Sequence, residues 1–216
     1  FLTPLFAPKS IVVFAGHPDH LEEAPALTRT MLAELRAGGF GGSLNFLDIE
    51  MTGTLSDLAH SRADLAIIAL PHERIAAAVE IAGRIRCRAA LVLSTGLPGP
   101  LCGELHDIAR RHGMHLLGPN SLGFQRPLLK LNASVAGRLA APGPLGLVCQ
   151  SGALTASILD WAARNAVGFS TVVSLGANTA VDLPQVLDFL RKRQGLLDGV
   201  VFSGGEPTLQ AGLPQA

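Results

Sequence analysis

From residue 11 onward, short apolar runs alternate with segments of helical periodicity, and nearly every run ends in a turn of small residues. The runs 11–15 (IVVFA), 43–47 (SLNFL), 65–70 (LAIIAL), 89–93 (AALVL) and 114–117 (MHLL) have the length and continuous hydrophobicity of strands buried on both faces. Between them, segments 26–37, 75–85 and 101–112 carry apolar residues at helical spacing. Gly38 and Gly39 stop the first helix, Pro71 precedes the second and Gly113 stops the third. Strands separated by such helices pair in parallel through right-handed crossovers, so residues 1–125 are expected to form one doubly wound α/β domain.

Residues 126–144 contain Pro127, Pro142, Gly143 and Pro144 with little periodicity, and read as a linker. A second α/β unit is expected over 145–216. It has strands at 145–149 (LGLVC), 169–174 (FSTVVS) and 200–202 (VVF), with helices 153–165 and 183–193 between them. Three strands with two crossovers make half of an ordinary doubly wound sheet, so the unit reads as a partial domain. The five strands beginning near Ile11, Leu65, Ala89, Leu145 and Phe169 are all expected to be parallel, with no antiparallel pairing before Arg126.

Within that unit, residues 145–163 (LGLVCQSGALTASILDWAA) run from strand to helix almost without a loop. Gln150, Ser151 and Gly152 fill the turn. Such a turn leaves the first helical N–H groups free and aims the positive end of the helix dipole beyond the strand, which suits phosphate or carboxylate. Ser151 is equally a common helix cap, so a plain helix start explains the residue as well.

At 216 residues, 48% hydrophobic and 16% charged, the chain has ample material for a buried parallel sheet. Lys plus Arg equals Asp plus Glu at 17 each, so no global charge recruits nucleic acid or an anionic membrane surface. Cys87, Cys102 and Cys149 stand far apart and form neither CxxC nor CxxxCxxC, and read as the reduced thiols of a cytoplasmic protein. Residues 1–6 are too short for a signal h-region, no run approaches a membrane span, and the opening Phe reads as a trimmed start.

In an open parallel sheet ligands gather beyond the carboxyl ends of the strands, so chemistry is sought in the turns Gly16-His17-Pro18-Asp19, Pro71-His72, Ser94-Thr95-Gly96-Leu97 and 118–123 (GPNSLG). With LFAPKSIVVF, DLAIIALP, LVLSTGL, GMHLLGPNSLGF, LNASV, QSGALTASILDWA and GFSTVVSLGANTAVDLPQVLDFL in this order, the chain resembles the NDP-forming acyl-CoA synthetase family, relatives of the succinyl-CoA synthetase α subunit. The resemblance covers about residues 5–190. It implies a Rossmann-like CoA-binding domain followed by a partial flavodoxin-like ligase domain. The implied reaction converts acyl-CoA, ADP and phosphate into acid, CoA and ATP, through an acyl phosphate and a phosphohistidine.

Carried over by that resemblance, Gly16, Pro71, Ser94, Thr95 and Gly96 border a CoA cleft, and Gly118, Pro119 and Asn120 lie near the thiol end. Gln150, Ser151, Gly152 and Ala153 form the phosphate-receiving turn. The resemblance implies no metal site, and no catalytic residue is assigned. ADP or ATP enters only with an ATP-grasp part on another chain, which implies a β-type partner in a homo- or hetero-oligomer. The histidine phosphorylated in the family lies beyond this chain; His17, His20, His60, His72, His106, His112 and His115 all precede Ser151. The pairs His17/His20 and His112/His115 have metal-ligand spacings without a third ligand, and read as solvated or structural.

Two stretches depart from the family pattern. Its glycine-rich first turn is replaced by AGHPDHLEEAPAL, which adds Asp19, Glu22 and Glu23, and its basic end to the second strand is replaced by Leu47-Asp48-Ile49-Glu50. Carboxylates repel phosphates, so CoA is expected to bind weakly. Residues 195–210 (GLLDGVVFSGGEPTLQ) also resemble radical SAM activating enzymes of anaerobic ribonucleotide reductase, although the cluster-binding CxxxCxxC is missing. The plainer reading of that tail is a third strand with Gly204 and Gly205 as its turn. The alternative function is a noncatalytic, degenerate CoA-binding regulatory module of the kind attached to lysine acetyltransferases.

Overall fold

The computed structural model describes residues 2–17, 20, 22, 24–50, 63–176 and 180–192, and the backbone of Gly199–Ser203. After a short helix α1 (Thr3–Phe6), strands β1 (Ser10–Phe14), β2 (Ser43–Phe46), β3 (Leu65–Ile68), β4 (Ala89–Val92) and β5 (His115–Leu117) form a parallel sheet in the order β2-β1-β3-β4-β5. Helix α2 (Ala26–Ala37) covers one face, burying Met31, Leu32 and Leu35; α3 (His72–Arg84) and α4 (Gly99–Arg111) cover the other with Ile75, Val79, Leu105 and Ile108. The strand order reverses between β1 and β3, and that reversal opens a crevice at their carboxyl ends.

The second sheet has the order β10-β8-β9-β6-β7. Strands β8 (Pro142–Cys149), β9 (Phe169–Ser174) and β10 (Gly199–Ser203) are parallel, with crossover helices α5 (Gly152–Arg164) and α6 (Leu183–Arg191). Strands β6 (Gly123–Arg126) and β7 (Leu131–Ser134) form an antiparallel hairpin, and β6 is also antiparallel to β9. The second sheet therefore starts at Gly123, and the segment expected as a linker, 126–144, supplies β7 and the start of β8. Antiparallel pairing likewise begins before Arg126, against the expectation, although the five named strands are parallel within their own sheets.

Polarity explains why the hairpin was missed. Gln125, Asn132 and Ser134 are fully buried or nearly so, which a hydrophobic pattern cannot signal. Ser134 Oγ donates to Asn132 Oδ1 at 2.7 Å, Gln125 Nε2 donates to Ser134 Oγ at 3.2 Å, and Asn132 Nδ2 donates to Gly137 O at 2.9 Å. Each polar group is satisfied, so the strands tolerate burial.

One apolar cluster joins the two sheets. Phe6 sits at its centre, fully buried, edge-on to Phe124 of β6 at 5.2 Å and tilted against Phe189 of α6 at 5.1 Å. Arg126, 7% exposed, ties the same joint by donating to Phe6 O at 2.7 Å and to Ser170 O at 3.2 Å. Because both sheets contribute to this cluster, Phe6→Ala is expected to cost about 3–5 kcal/mol in a single urea transition. Two separated transitions, with the first sheet unaffected, would show that the sheets do not share this core.

A second tie joins α3 to α4. Glu80 accepts from Arg84, from Arg111 and from His112 Nε2 at 3.2, 3.0 and 3.2 Å. Partial burial pushes its carboxyl up, but the bonds from His112, Arg111 and Arg84 outweigh burial and hold it below its ordinary value of 4.5. A carboxyl lowered by folding adds stability above its unfolded value and loses it as the pH falls through the lowered one. Thermal unfolding from neutrality to below about pH 4 should therefore show an acid loss that Glu80→Gln reduces. An acid limb identical in parent and variant would assign the loss elsewhere.

Candidate functional site at the strand ends

The turns after β3, β4 and β5 are tied together. Ser94 Oγ donates to Leu70 O at 2.7 Å, His72 Nε2 donates to Thr95 O at 3.0 Å, and Asn120 N–H donates to Ser94 O at 3.1 Å. Asn120 Oδ1 in turn accepts the Gly96 N–H at 2.8 Å. Asn120 itself has φ +61°, a conformation that asparagine tolerates better than most side chains. Gly118 has φ +87°, precedes Pro119 through a cis peptide, and runs so close to β4 that a Cβ would lie 2.2 Å from Val92 O.

Beside these turns lies a cleft of about 450 Å³, bordered by Pro71, His72, Ser94 and Thr95 on one side and by Pro25, Leu27, Thr28 and Met31 of the α2 region on another. Ala69, Leu70, Leu93, Leu122 and Val135 complete its wall. Of the residues anticipated from sequence, Pro71, Ser94 and Thr95 border the cleft directly. Gly96, Gly118, Pro119 and Asn120 shape its turns from behind, and Gly16 stands at the end of β1 outside its lining. The α2 residues were not anticipated, because the 63% exposure of Leu27 just inside a helix start is visible only in the structure.

Across Leu122 lies the start of α5. Ser151 caps it, accepting the Leu154 N–H at 3.3 Å, while the N–H groups of Gly152 and Ala153 have no partner among the described residues. Of the first three N–H groups of the helix, the cap therefore takes that of Leu154 and leaves those of Gly152 and Ala153. Gln150 and Ala153 are exposed, and Ser151 and Gly152 half-buried. A Cβ on Gly152 would lie 2.9 Å from Leu122 Cγ, so the same leucine that walls the cleft packs against the helix terminus.

The acidic residues fare differently from expectation. Asp48 and Glu50 do not stand free: the Arg74 guanidinium of α3 donates to both, at 2.9 and 3.1 Å. Among the described residues no carboxylate lines the cleft itself. Asp19 and Glu23 lie outside the described residues, as do Gly204 and Glu206 of the tail, while the strand read at 200–202 is present as β10, parallel to β8. All three cysteines are free and buried, and burial pushes the Cys87 thiol up to about 12. Among the described residues no group of three or more His, Cys, Asp or Glu could hold a metal ion, and no helix is long and apolar enough to cross a membrane.

Comparison with known proteins decides the family. The Succinyl-CoA ligase like flavodoxin domain matches residues 142–196. The ADP-forming acetate–CoA ligase I of Archaeoglobus fulgidus is 31% identical over 201 residues, which take in 87% of this chain and 28% of that protein. The α subunit of the ADP-forming acetate–CoA ligase I of Pyrococcus furiosus is 28% identical over 222 residues, 94% of this chain and 47% of that one. The dinucleotide-forming acetyl-coenzyme A synthetase 1 of Ca. Korarchaeum cryptofilum, solved with phosphate and ADP, superposes with a TM-score of 0.82 at 26% identity, over 96% of this chain and 46% of that chain. The chain belongs to the NDP-forming acyl-CoA synthetase family.

It spans about a quarter to a half of the length of these relatives. Its Rossmann-like first sheet and flavodoxin-like second one correspond to the CoA-binding and ligase-domain portion of that family. These relatives are ligases, which favours this portion over the acetyltransferase-attached module.

The Asn120 bridge can be tested within this synthetase portion. Asn120→Ala loses both the bond to Gly96 and the tolerance of positive φ, and should cost about 1–3 kcal/mol in denaturant unfolding. Asn120→Gly keeps the backbone and loses only the bond, so it should cost less and still speed exchange of the Gly96 amide. Unchanged exchange at Gly96 in both variants would show that the bridge does not hold this turn.

Proposed function

We propose that this chain supplies two adjoining subsites of an ADP-forming acid-thiol ligation: a nucleotide-thiol cleft at the strand ends of the first sheet, and a phosphate-receiving turn at 150–153. The carrying observation is Leu122, which borders the cleft and packs on Gly152, so the two subsites share one wall. A thioester and a phosphate must come together to exchange into an acyl phosphate and free thiol, and this wall is where they would approach. The lining suits a CoA-type ligand: Leu93, Leu122 and Val135 offer apolar surface to a pantetheine arm, and no carboxylate is among the described residues of the lining.

In this reading Gly16, Pro71, Ser94, Thr95 and Gly96 flank the nucleotide and Gly118, Pro119 and Asn120 hold the turn near its thiol. Gln150, Ser151, Gly152 and Ala153 receive the phosphoryl group, with two N–H groups unbonded among the described residues and the dipole of a 13-residue helix aimed at it. The phosphorylated histidine and the ADP site belong to the rest of the enzyme, the latter on an ATP-grasp partner chain, and the assembly works in the cytoplasm. CoA binds this portion weakly by itself.

A helix terminus at an exposed site attracts an anion by only about 0.3–1 kcal/mol per charge, which for doubly charged phosphate corresponds to dissociation constants of tens to hundreds of millimolar. Amide shifts in a phosphate titration should centre on Gly152 and Ala153. Gly152→Asp would also press on Leu122, so the cleaner variant is Ala153→Asp, which places a carboxylate at the donors from an exposed position and should abolish the shifts. Ser151→Ala should only weaken them, with about 1 kcal/mol lost in helix stability. Shifts that map to 94–97 or 118–121 instead, with Ala153→Asp titrating like the parent, would remove this subsite from the reading.

A further inference from the structure

Among the described residues that line the strand-end cleft, one has an ionisable side chain: His72, the first residue of α3. Its ring is half-buried and anchored at one nitrogen. Nε2 lies 3.0 Å from Thr95 O, and a carbonyl oxygen only accepts, so Nε2 carries a hydrogen whether the imidazole is neutral or charged. In the neutral ring Nδ1 is therefore the lone pair, and it accepts no bond from the described residues. A proton taken up by the ring goes to Nδ1. Thr95, which anchors the ring, borders the same cleft.

The cations nearby are engaged elsewhere. Arg74, two residues further along α3, donates to Asp48 and Glu50 at the end of β2, at 2.9 and 3.1 Å. Arg29 of α2 donates to the Glu22 and Ala24 carbonyls at 2.8 and 3.3 Å, and the Glu22 carboxylate lies 3.8 Å from the His20 ring. Glu73, next to His72, is exposed in the first turn of α3. The turn after β4 brings Ser94 and Thr95 to the cleft, and neither is charged. Among the described residues, His72 is thus the one side chain of the lining that can turn cationic toward an anionic ligand.

We infer that His72 is the phosphate-contacting side chain of this cleft: anchored to Thr95 O through Nε2, it takes up a solvent proton at Nδ1 and donates a hydrogen bond from there to a phosphate oxygen of a CoA-type nucleotide. The inference rests on the reading that the strand ends hold such a nucleotide, and it adds the group that supplies the positive charge. Histidine gains its charge as the pH falls from about 8 to about 5, so affinity rises in that direction and binding takes up a proton.

Calorimetric titration of the whole chain with CoA at about pH 5.5 and about pH 8 reads the affinities, and repetition at neutrality in two buffers of different ionisation enthalpy reads the proton uptake. The parent should bind about fivefold tighter at the lower pH, the worth of one hydrated charge pair at contact distance, and should take up a fraction of a proton. The phosphates of CoA also titrate, so the comparison with His72→Gln is the measure. The glutamine amide still offers a donor to Thr95 O but cannot gain a charge, and both effects should shrink by more than half. His72→Lys, charged throughout, should bind CoA at the higher pH as tightly as the parent does at the lower. Circular dichroism checks that both variants fold; if they do not, ring nitrogen shifts of His72 in the parent decide, with the hydrogen expected on Nε2 in the free neutral ring and Nδ1 expected to protonate as CoA is added. CoA binding with the same pH dependence and proton uptake in parent and His72→Gln, or a free neutral ring with its hydrogen on Nδ1, overturns the inference and leaves the cleft reading standing. Absence of saturable CoA binding at both pH values overturns the cleft reading and the inference together.

Discussion

The run 118–123 crosses from the last strand of the first sheet to the first strand of the second, and the separation of the sheets is fixed by how closely that backbone is packed. A Cβ on Gly118 would collide with Val92 O at 2.2 Å, and a Cβ on Gly176, beyond β9, with Asn120 O at 2.1 Å. Ser121, fully buried, donates its hydroxyl to Ser174 O and accepts the Gly123 N–H at 2.9 Å, while Leu122 N–H reaches Ser174 Oγ at 3.3 Å. With the backbone held from both sheets, Leu122 has one place to go, between the cleft and α5. The adjacency of the two subsites is therefore a property of backbone contacts, insensitive to the flexible side chains around the cleft.

Electrostatically the described carboxylates stand apart from the cleft and the helix end. Among the described residues the cleft lining carries no carboxylate, and the helix end at 151–153 offers donors without a competing acid in its first turn. Negative charge is displaced to the β2 side, where Arg74 neutralises part of it. A sequence reading that counts Asp48 and Glu50 as two free repulsive charges overstates their effect. Their partner lies 24 or more residues away in the chain, on a different element, and no local spacing announces it.

The same contrast governs what was legible in the sequence. Four strands of the first sheet and the helices after them followed from continuous apolar runs and glycine or proline stops, because burial on both faces leaves a simple pattern, whereas the edge strand β2 is exposed or half-buried throughout, against the expectation. The hairpin Gly123–Ser134 left none: its inward residues include Gln125, Asn132 and Ser134, whose hydrogen bonds to each other and to the 136–140 backbone exist only once the fold is assembled. At the site, the strand-end turns were legible from their small residues. The apolar wall from Leu27 and Met31 was not, since a helix start facing a cleft resembles one facing a core. On α5, Leu154 and Trp161 have the spacing of core residues, yet they are 39% and 56% exposed, and Leu159 is the member of that set that is buried.

The partly exposed start of α5 sets how the labour of such an enzyme must be divided. Two N–H groups and a dipole at a hydrated surface provide enough attraction to orient a phosphoryl group and too little to hold it against water. Holding it requires lowering the local dielectric, which only additional chain closing over the turn can do. In the proposed reading, Leu122 and the backbone behind it would fix where the phosphoryl group and the thioester meet. The strength with which they are held there has to come from the remainder of the synthetase.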